Sequence, residues 1–580
     1  MNGIITSHQQ FFFPDSPLGD LPASLRLVSA KNGKAGIQIL FSCDAPQGRV
    51  SVSASDFDTQ LYEMIAIPVE YNTGNGVDQG GAMVILPQNC PDYAVRKAPF
   101  DVYDCLRPLT SCDIPAHDGR CSAYLTLAPK TDTPAGSHAL SLTITAGHET
   151  HTCRIEYVVY PVSFDEDLFE TTNWFSVRAM EQVHGVKIGT PEFNDVVRAY
   201  ARSMRSVHQK VFLLWLHEDL SDRRVQRPAA ISTPETLDNM RSLDARSTIS
   251  CADSDTLNTL YPFDFEDMAP IIRIFFEEGF DTFETGGIIC RGYREDGTQD
   301  MYTADFKCSA DPTVSVDSDE GYALLCSEMQ AFAAFLKKYG WEDRVLFHVM
   351  DEPDVHYKTE ADLTARRVQF LTAANIVRRY LPGVRIMEAV KTLTMRGGVD
   401  IMVPITDSYQ HSKTAFDAAI AMGDEVWTYV CCAPEGKWLN RFLDSPLLNG
   451  RLLFWGCAAC RFGGYLHWGY NQFGGVPDPF KATSARNWTG IGTNFPCGDA
   501  FIVYPGDKEP WPSMRLEAER MGAQEVCLLR ALRDKDPAAH DALIAEVFTA
   551  FDDYDNDPAK MELVHEKLLR TLGPQAPDPA

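Results

Sequence analysis

Two adjacent carboxylates, Asp351 and Glu352, stand between the apolar run Val345-Leu346-Phe347-His348-Val349 and Pro353. Such a run reads as a buried strand, so the pair lies where a strand empties into a loop, the end at which (β/α)8 barrels carry their chemistry. Two acids in succession at a desolvated strand end repel one another when both are ionised. One apparent pKa is therefore raised, and the two titrate as a pair. A carboxyl kept protonated near neutral pH can deliver a proton to the leaving oxygen of a glycosidic bond. Glu352 is assigned as this general acid/base and Asp351 as its ionised partner. A plain cap for the helix expected near Thr359 would not need a second acid beside it.

The residue before the acid decides the mechanism. Retaining glycosidases with their own nucleophile often carry Asn there, to contact the sugar 2-hydroxyl, and attack with a second Glu from a later strand. An ionised Asp only accepts hydrogen bonds, so it suits a donor such as the N–H of a 2-acetamido group. Holding that N–H would bring the acetamido carbonyl oxygen beneath the anomeric carbon, and the substrate would supply its own nucleophile. With an enzyme nucleophile instead, Glu435, after the seventh expected strand, is the candidate. Tyr409 could hydrogen-bond the acetamido carbonyl, while Trp427, Tyr429 and Trp468 offer flat faces to a pyranose. Asn471 is a candidate for sugar hydroxyls. Core packing competes for each aromatic residue, and a turn after Gly469 competes for Asn471.

Positioning these groups requires a particular set of elements. From Leu25 to about Tyr160, short alternating runs such as Gly36–Phe41, His138–Ile144 and Cys153–Tyr160 predict an antiparallel β-sandwich. After Pro161, strand-like runs are spaced by longer amphipathic stretches, as in repeated βα units. The expected strands are Thr172–Val177, Val211–His217, Thr282–Cys290, Arg344–Met350, Val384–Val390, Ile401–Ile405, Glu425–Val430 and Gly464–Trp468. Helices are expected at Glu192–His208, Glu266–Gly279, Tyr322–Tyr339 and Glu360–Tyr380. The fold class is thus α/β: a sandwich over 1–163, a (β/α)8 barrel over 164–510, and a helical region over 511–580 with helices at Ala538–Phe551 and Pro558–Leu572. The long stretch Glu218–Asp264, with its basic run Asp222–Pro228, reads as a substrate-shaping loop.

A net charge of −28 over 580 residues, with the acids spread along the chain, repels phosphate backbones and anionic membrane surfaces. No nucleic-acid or membrane partner is expected. The first ten residues lack a basic segment followed by an apolar one, so a cytoplasmic location is expected. The 16 cysteines are scattered and read as reduced thiols. Neither Cys431-Cys432 nor the pair Cys457 and Cys460 has a second matching pair at zinc-ligand spacing, so no metal or cofactor is expected.

The series Phe347-His348-Val349-Met350-Asp351-Glu352-Pro353, Val426-Trp427-Thr428-Tyr429, Arg451-Leu452-Leu453-Phe454-Trp455 and Gly463-Gly464-Tyr465-Leu466-His467-Trp468-Gly469-Tyr470-Asn471 resembles glycoside hydrolase family 123 and the wider DUF4091-type domains. The resemblance continues in Gly498-Asp499, Tyr504-Pro505-Gly506 and Pro512-Ser513-Met514-Arg515-Leu516-Glu517, and spans the chain from about residue 130 onward. It implies a sandwich, a catalytic barrel, and retaining β-N-acetylgalactosaminidase activity by substrate-assisted catalysis on an oligosaccharide or glycoconjugate. It maps the acetamido-orienting and acid/base roles onto Asp351 and Glu352. The chain departs from relatives at Ser176 and Arg178, where His and Asp are expected, and at Ala523-Gln524-Glu525, where an acidic pair is usual. Those departures leave a non-catalytic carbohydrate-binding protein as a third reading.

Overall fold

The computed structural model of the chain describes residues 1–74, 84–85, 90–217, 220, 261–487, 489 and 494–573. The expected loop Glu218–Asp264, with Asp222–Pro228, therefore lies almost wholly outside the described residues.

The N-terminal part is two five-stranded sheets. One orders Gly3–Thr6, Ala35–Ser42, Arg120–Pro129, Phe57–Val69 and Phe100–Pro108. The other orders Ser24–Ala30, Glu149–Tyr160, Gly136–Ala146, Gln47–Ser53 and Asp113–Pro115. Their facing side chains, among them Ile37, Ile39 and Leu125 from the first sheet and Leu142, Ile144 and Ile155 from the second, form one apolar cluster. All pairings are antiparallel except one. Ser24–Ala30 runs parallel to Glu149–Tyr160, which alternation alone could not distinguish from the antiparallel arrangement.

The next part alternates strands and helices, and its long strand ladders are parallel. We label its parallel strands β1 (Glu170–Asn173), β2 (Val211–Leu213), β3 (Thr282–Gly286), β4 (Val345–His348), β5 (Arg385–Val390), β6 (Ile401–Pro404), β7 (Glu425–Val426 and Thr428–Tyr429) and β8 (Gly464–His467). β2 to β6 and the first half of β7 make one six-stranded sheet; β1, β8 and the second half of β7 make a three-stranded one. A parallel bridge between Ile405 and Tyr429 joins the two. Between β1 and β2 a side chain does the joining: the Gln209 amide donates to the carbonyls of Asn173 (3.1 Å) and Val211 (2.7 Å).

Each strand but β5, which ends at Val390 as expected, ends earlier than its hydrophobic pattern predicts. β1 stops at Asn173 because Ser176 is already the N-cap of the helix Val177–His184, its hydroxyl accepting from the Ala179 amide. β3 stops at Gly286, whose φ of 133° only glycine adopts readily. There the chain passes so close to β4 that a Cβ would sit 1.9 Å from the His348 carbonyl oxygen. Ile289–Cys290, expected as the end of the same strand, pairs instead with Lys307–Cys308 in a small antiparallel sheet.

The helix Glu360–Tyr380 has the expected bounds, set by a capping box between Thr359 and Asp362. At the C-terminus, helices span Met514–Lys535, Pro537–Ile544 and Pro558–Leu572. The second is shorter than expected because Phe548–Ala550 pairs with Asp553–Tyr554. Among the described residues no helix is long and apolar enough to cross a membrane.

Candidate active site

The C-terminal ends of the parallel strands surround a cavity of about 460 Å³. β1 leads to Trp174 and Ser176, β2 to Trp215 and His217, and β3 to Gly286, Gly287 and Arg291. β4 delivers Met350, Asp351 and Glu352; β5, β7 and β8 add Ala389, Tyr429 with Cys431, and Trp468. Asp351 and Glu352 are the only carboxylates that line it among the described residues.

The acids are held by a loop with an unusual backbone. Glu352 and His356 have φ of 50° and 57°, left-handed values that cost energy in residues with a Cβ. What fixes them is Arg366, fully buried on the following helix. Its guanidinium donates to the carbonyls of Pro353 (3.4 Å), Val355 (2.6 Å) and His356 (3.3 Å), and to those of Met301 (2.9 Å) and Thr303 (2.7 Å). Buried Asp354 ties the same loop to the end of β5, accepting the amides of Lys391 and Thr392 at 2.8 Å each and the Thr392 hydroxyl at 2.7 Å. Arg291 donates to the Glu352 carbonyl.

The Tyr429 hydroxyl donates to Glu352 Oε1 at 2.5 Å. Asp351 opens onto the cavity, yet the packed walls deprive it of bulk water. That desolvation, and then the Glu352 charge, push its pKa up to about 7, against the pull of Arg291 and His348. The two adjacent acids therefore share a proton near neutral pH and titrate as a pair.

The remaining expected residues divide. Tyr429 and Trp468 line the cavity, with the Trp468 indole N–H donating to buried Asp499 at 3.3 Å. Trp427 shares an inner face with Tyr429 but lies a layer below, its N–H on Glu425 at 2.8 Å. It fills the space that Gly463 and Gly464 leave open. Tyr409 packs against Phe416, Phe462 and Phe551 with its hydroxyl on Asp417 at 2.7 Å. Asn471 clasps the Ser176 backbone from both sides, accepting from its N–H (2.6 Å) and donating to its carbonyl (3.1 Å). None of Trp427, Tyr409 and Asn471 lines the cavity, nor does Glu435. The Cys431 and Cys432 sulfurs lie 3.8 Å apart, and Cys457 is buried in the helix Asn449–Cys460.

Several cavity residues escaped the sequence reading: Trp174, Trp215, His217, Arg291 and Tyr293. So did Glu284 and Glu388, which lie beneath it. A lone acid inside each of the short runs Thr282–Gly286 and Arg385–Val390 was the available signal, because buried strands do not hold unpaired carboxylates.

The family model for the glycoside hydrolase 123 catalytic domain matches residues 174–532. The structure is similar to that of a family 123 glycoside hydrolase from Clostridium perfringens, described in a study of glycolipid glycan hydrolysis. The TM-score is 0.69 at 14% identity, over 98% of this chain and 97% of that one. A β-xylosidase from Caulobacter crescentus aligns at a TM-score of 0.36 and 10% identity, over 62% and 69%. No curated protein matches the sequence.

Proposed function

Since the chain belongs to glycoside hydrolase family 123 and is a glycosidase, we propose that it removes terminal β-linked N-acetylhexosamine, N-acetylgalactosamine by preference, with retention and by substrate-assisted catalysis. The observation that carries this reading is the carboxylate inventory of the cavity. Asp351 and Glu352 are neighbours in sequence and, among the described residues, have no carboxylate facing them across the cavity. An enzyme nucleophile needs a second carboxyl about 5 Å from the acid, on the other side of the anomeric carbon. Glu435 does not line the cavity, so it gives that alternative no support.

In the proposed cycle the substrate N–H donates to Asp351, which favours its ionised form, and the shared proton resides on Glu352. Glu352 protonates the glycosidic oxygen as the acetamido carbonyl oxygen bonds to the anomeric carbon, and the C–O bond to the aglycone breaks. Asp351 stabilises the oxazolinium charge. Water then attacks the same carbon from the vacated face, giving its proton to Glu352, and the ring opens to the sugar with its configuration kept. Trp174, Trp215 and Trp468 supply apolar faces for the pyranose. The glycolipid glycans named for the Clostridium relative are the substrate class we propose for this chain.

The same reading unites the two parallel sheets as one (β/α)8 barrel over residues 164–510, between a sandwich at 1–163 and a helical region at 511–580. Its support is the single apolar cluster of Trp174, Val211, Leu213, Leu346, Met387, Ala389, Ile401, Val403, Trp427, Tyr429 and Leu466. Every strand except β3 and its immediate extension contributes, as interior layers of a closed barrel require.

The test is release of p-nitrophenol from β-GalNAc, β-GlcNAc and β-galactose glycosides. Turnover confined to acetamido sugars, and lost by at least about a thousandfold in Glu352→Gln and Asp351→Asn, is the expected result. Full activity of Asp351→Asn on the GalNAc glycoside would exclude assistance by the acetamido group.

A further inference from the structure

Directly beneath the acid pair lies a second charged cluster that substrate cannot touch. His348, the last residue of β4, is 1% exposed, and Glu284 on β3 and Glu388 on β5 are wholly buried on either side of it. The imidazole Nε2 is 3.3 Å from Glu284 Oε1 and Nδ1 is 3.8 Å from Glu388 Oε2, the second an ion-pair rather than a hydrogen-bond distance. The other oxygen of each glutamate reaches outward. Glu284 Oε2 accepts the Thr172 hydroxyl (2.6 Å) and the Trp174 indole N–H (3.1 Å) from the β1 side. Glu388 Oε1 accepts the backbone N–H groups of Val349 and Met350, the latter at 3.3 Å. Trp174 and Trp215, both cavity-wall residues, close over the imidazole with ring centroids 5.5 and 5.6 Å away.

A neutral imidazole carries one donor and one acceptor, so it cannot satisfy carboxylates on both nitrogens; only the imidazolium can. Burial pushes His348 down, but the two glutamates outweigh it and hold it protonated, with a pKa of about 10. Removing three ionisable groups from water in one place is costly, and the packing of β3, β4 and β5 does not by itself call for it. Their placement serves the two residues that follow.

We infer that Glu284, His348 and Glu388 are positioning residues for the reaction, a buried charge chain that fixes the Met350 backbone and sets a positive charge under Asp351. The inference rests on the role proposed for Asp351. The charges facing that carboxylate are Glu352 beside it, Arg291 from the loop after β3, His348 on β4 and Glu388 on β5. Two of these favour its ionised form, and deleting the imidazolium leaves Arg291 alone to do so. Asp351 then keeps the shared proton to higher pH and withholds it from Glu352, so kcat/KM falls most at low pH and its alkaline limb, where the free pair loses that proton, moves upward.

The experiment is the pH profile of kcat/KM for His348→Gln and Glu284→Gln on a β-GalNAc glycoside. The expected result is an alkaline limb displaced upward by at least about half a pH unit in His348→Gln. Its loss at pH 5 should exceed its loss at pH 8 by about threefold or more. Glu284→Gln, which removes a buried negative charge while Glu388 still holds the imidazolium, should move the limb the opposite way, downward, and carries the test if His348→Gln does not fold. A profile of wild-type shape, lowered by one factor at every pH, overturns the inference and leaves a merely structural cluster. Asp351→Asn separates the two claims: if it is fully active, the role of Asp351 is wrong. If it is inactive while the His348→Gln profile stays parallel, the positioning role alone is wrong.

Discussion

Glu352, the acid of the proposed cycle, is oriented by one neutral hydroxyl. Tyr429 donates to one oxygen of Glu352, leaving the other to face the leaving group, and its ring is held in the inner apolar cluster. Tyr429→Phe should therefore lower kcat about tenfold, roughly 1.4 kcal/mol, with little change in KM, because the ring that shapes the cavity remains. Steady-state kinetics on the GalNAc glycoside checks this, and a tenfold rise in KM with kcat unchanged would assign Tyr429 to substrate binding instead. At this scale the sequence carried a definite part of the site. Two acids after a buried run can hardly be anything but a strand-end pair, and the alternation Trp427, Tyr429 correctly put both on one face. What it could not carry was depth along the strand. Trp427 stops at Glu425, one layer below the cavity, while Tyr429 reaches Glu352. Tyr409 looked equally available at a strand end, but the helix Thr406–His411 turns it toward Phe462 and Phe551, partners more than fifty residues away.

The loop from Asp351 to His356 is an element with no regular structure, and Arg366 is its substitute for a hydrogen-bond ladder. Five carbonyl oxygens converge on that one guanidinium, and burial without a carboxylate partner lowers its pKa to about 10. Arg366→Met keeps the volume but strands those carbonyls. It should cost about 3 kcal/mol of stability, and should reduce kcat by much more than Tyr429→Phe, because Glu352 then loses its left-handed backbone. Urea denaturation and kcat measured well below the melting temperature separate the two effects. If stability falls and kcat does not, the loop is held by Pro353 and Asp354 alone. Elements were legible where local chemistry sets their ends, as in the capping box that bounds Glu360–Tyr380. They were not legible where a tertiary approach sets them. Gly286 ends β3 because the β4 backbone passes over it, and no periodicity within Thr282–Cys290 records that.

At the scale of the whole molecule, the N-terminal sheets and the C-terminal helices are joined by buried ion pairs rather than by a linker. Arg515 on the helix Met514–Lys535 meets Asp104 of the sandwich at 3.0 Å, and Tyr504 donates to the same carboxylate at 2.7 Å. Glu517 and Arg520 continue this line to Lys34, and Arg451 binds Glu525 within the family motif that ends in Trp455. These motif residues, prominent in the sequence, therefore hold the body together and do not approach substrate. They also give the protein a distinctive acid response. Burial raises Glu517 and Glu525, but Arg520 and Lys34 for the first and Arg451 and His565 for the second outweigh it and hold them down at about 2. Each thus contributes about 3 kcal/mol that is present above pH 4.5 and lost as the pH falls toward 2. Asp351, Asp499 and Glu170 are displaced the other way, each up to about 7, chiefly by burial. Between pH 7 and 4 the folded state binds their protons more tightly than the unfolded chain does, so acidification over that range stabilises it. The two groups cross near pH 5. Calorimetry from pH 8 to pH 3 should show a melting temperature that rises by a few degrees down to about pH 5 and then falls steeply. Asp351→Asn should flatten the rising limb while leaving the falling one in place. A melting temperature that declines steadily from pH 8 would mean that these three carboxylates are solvated, and would remove the desolvation on which the raised pKa of Asp351 depends.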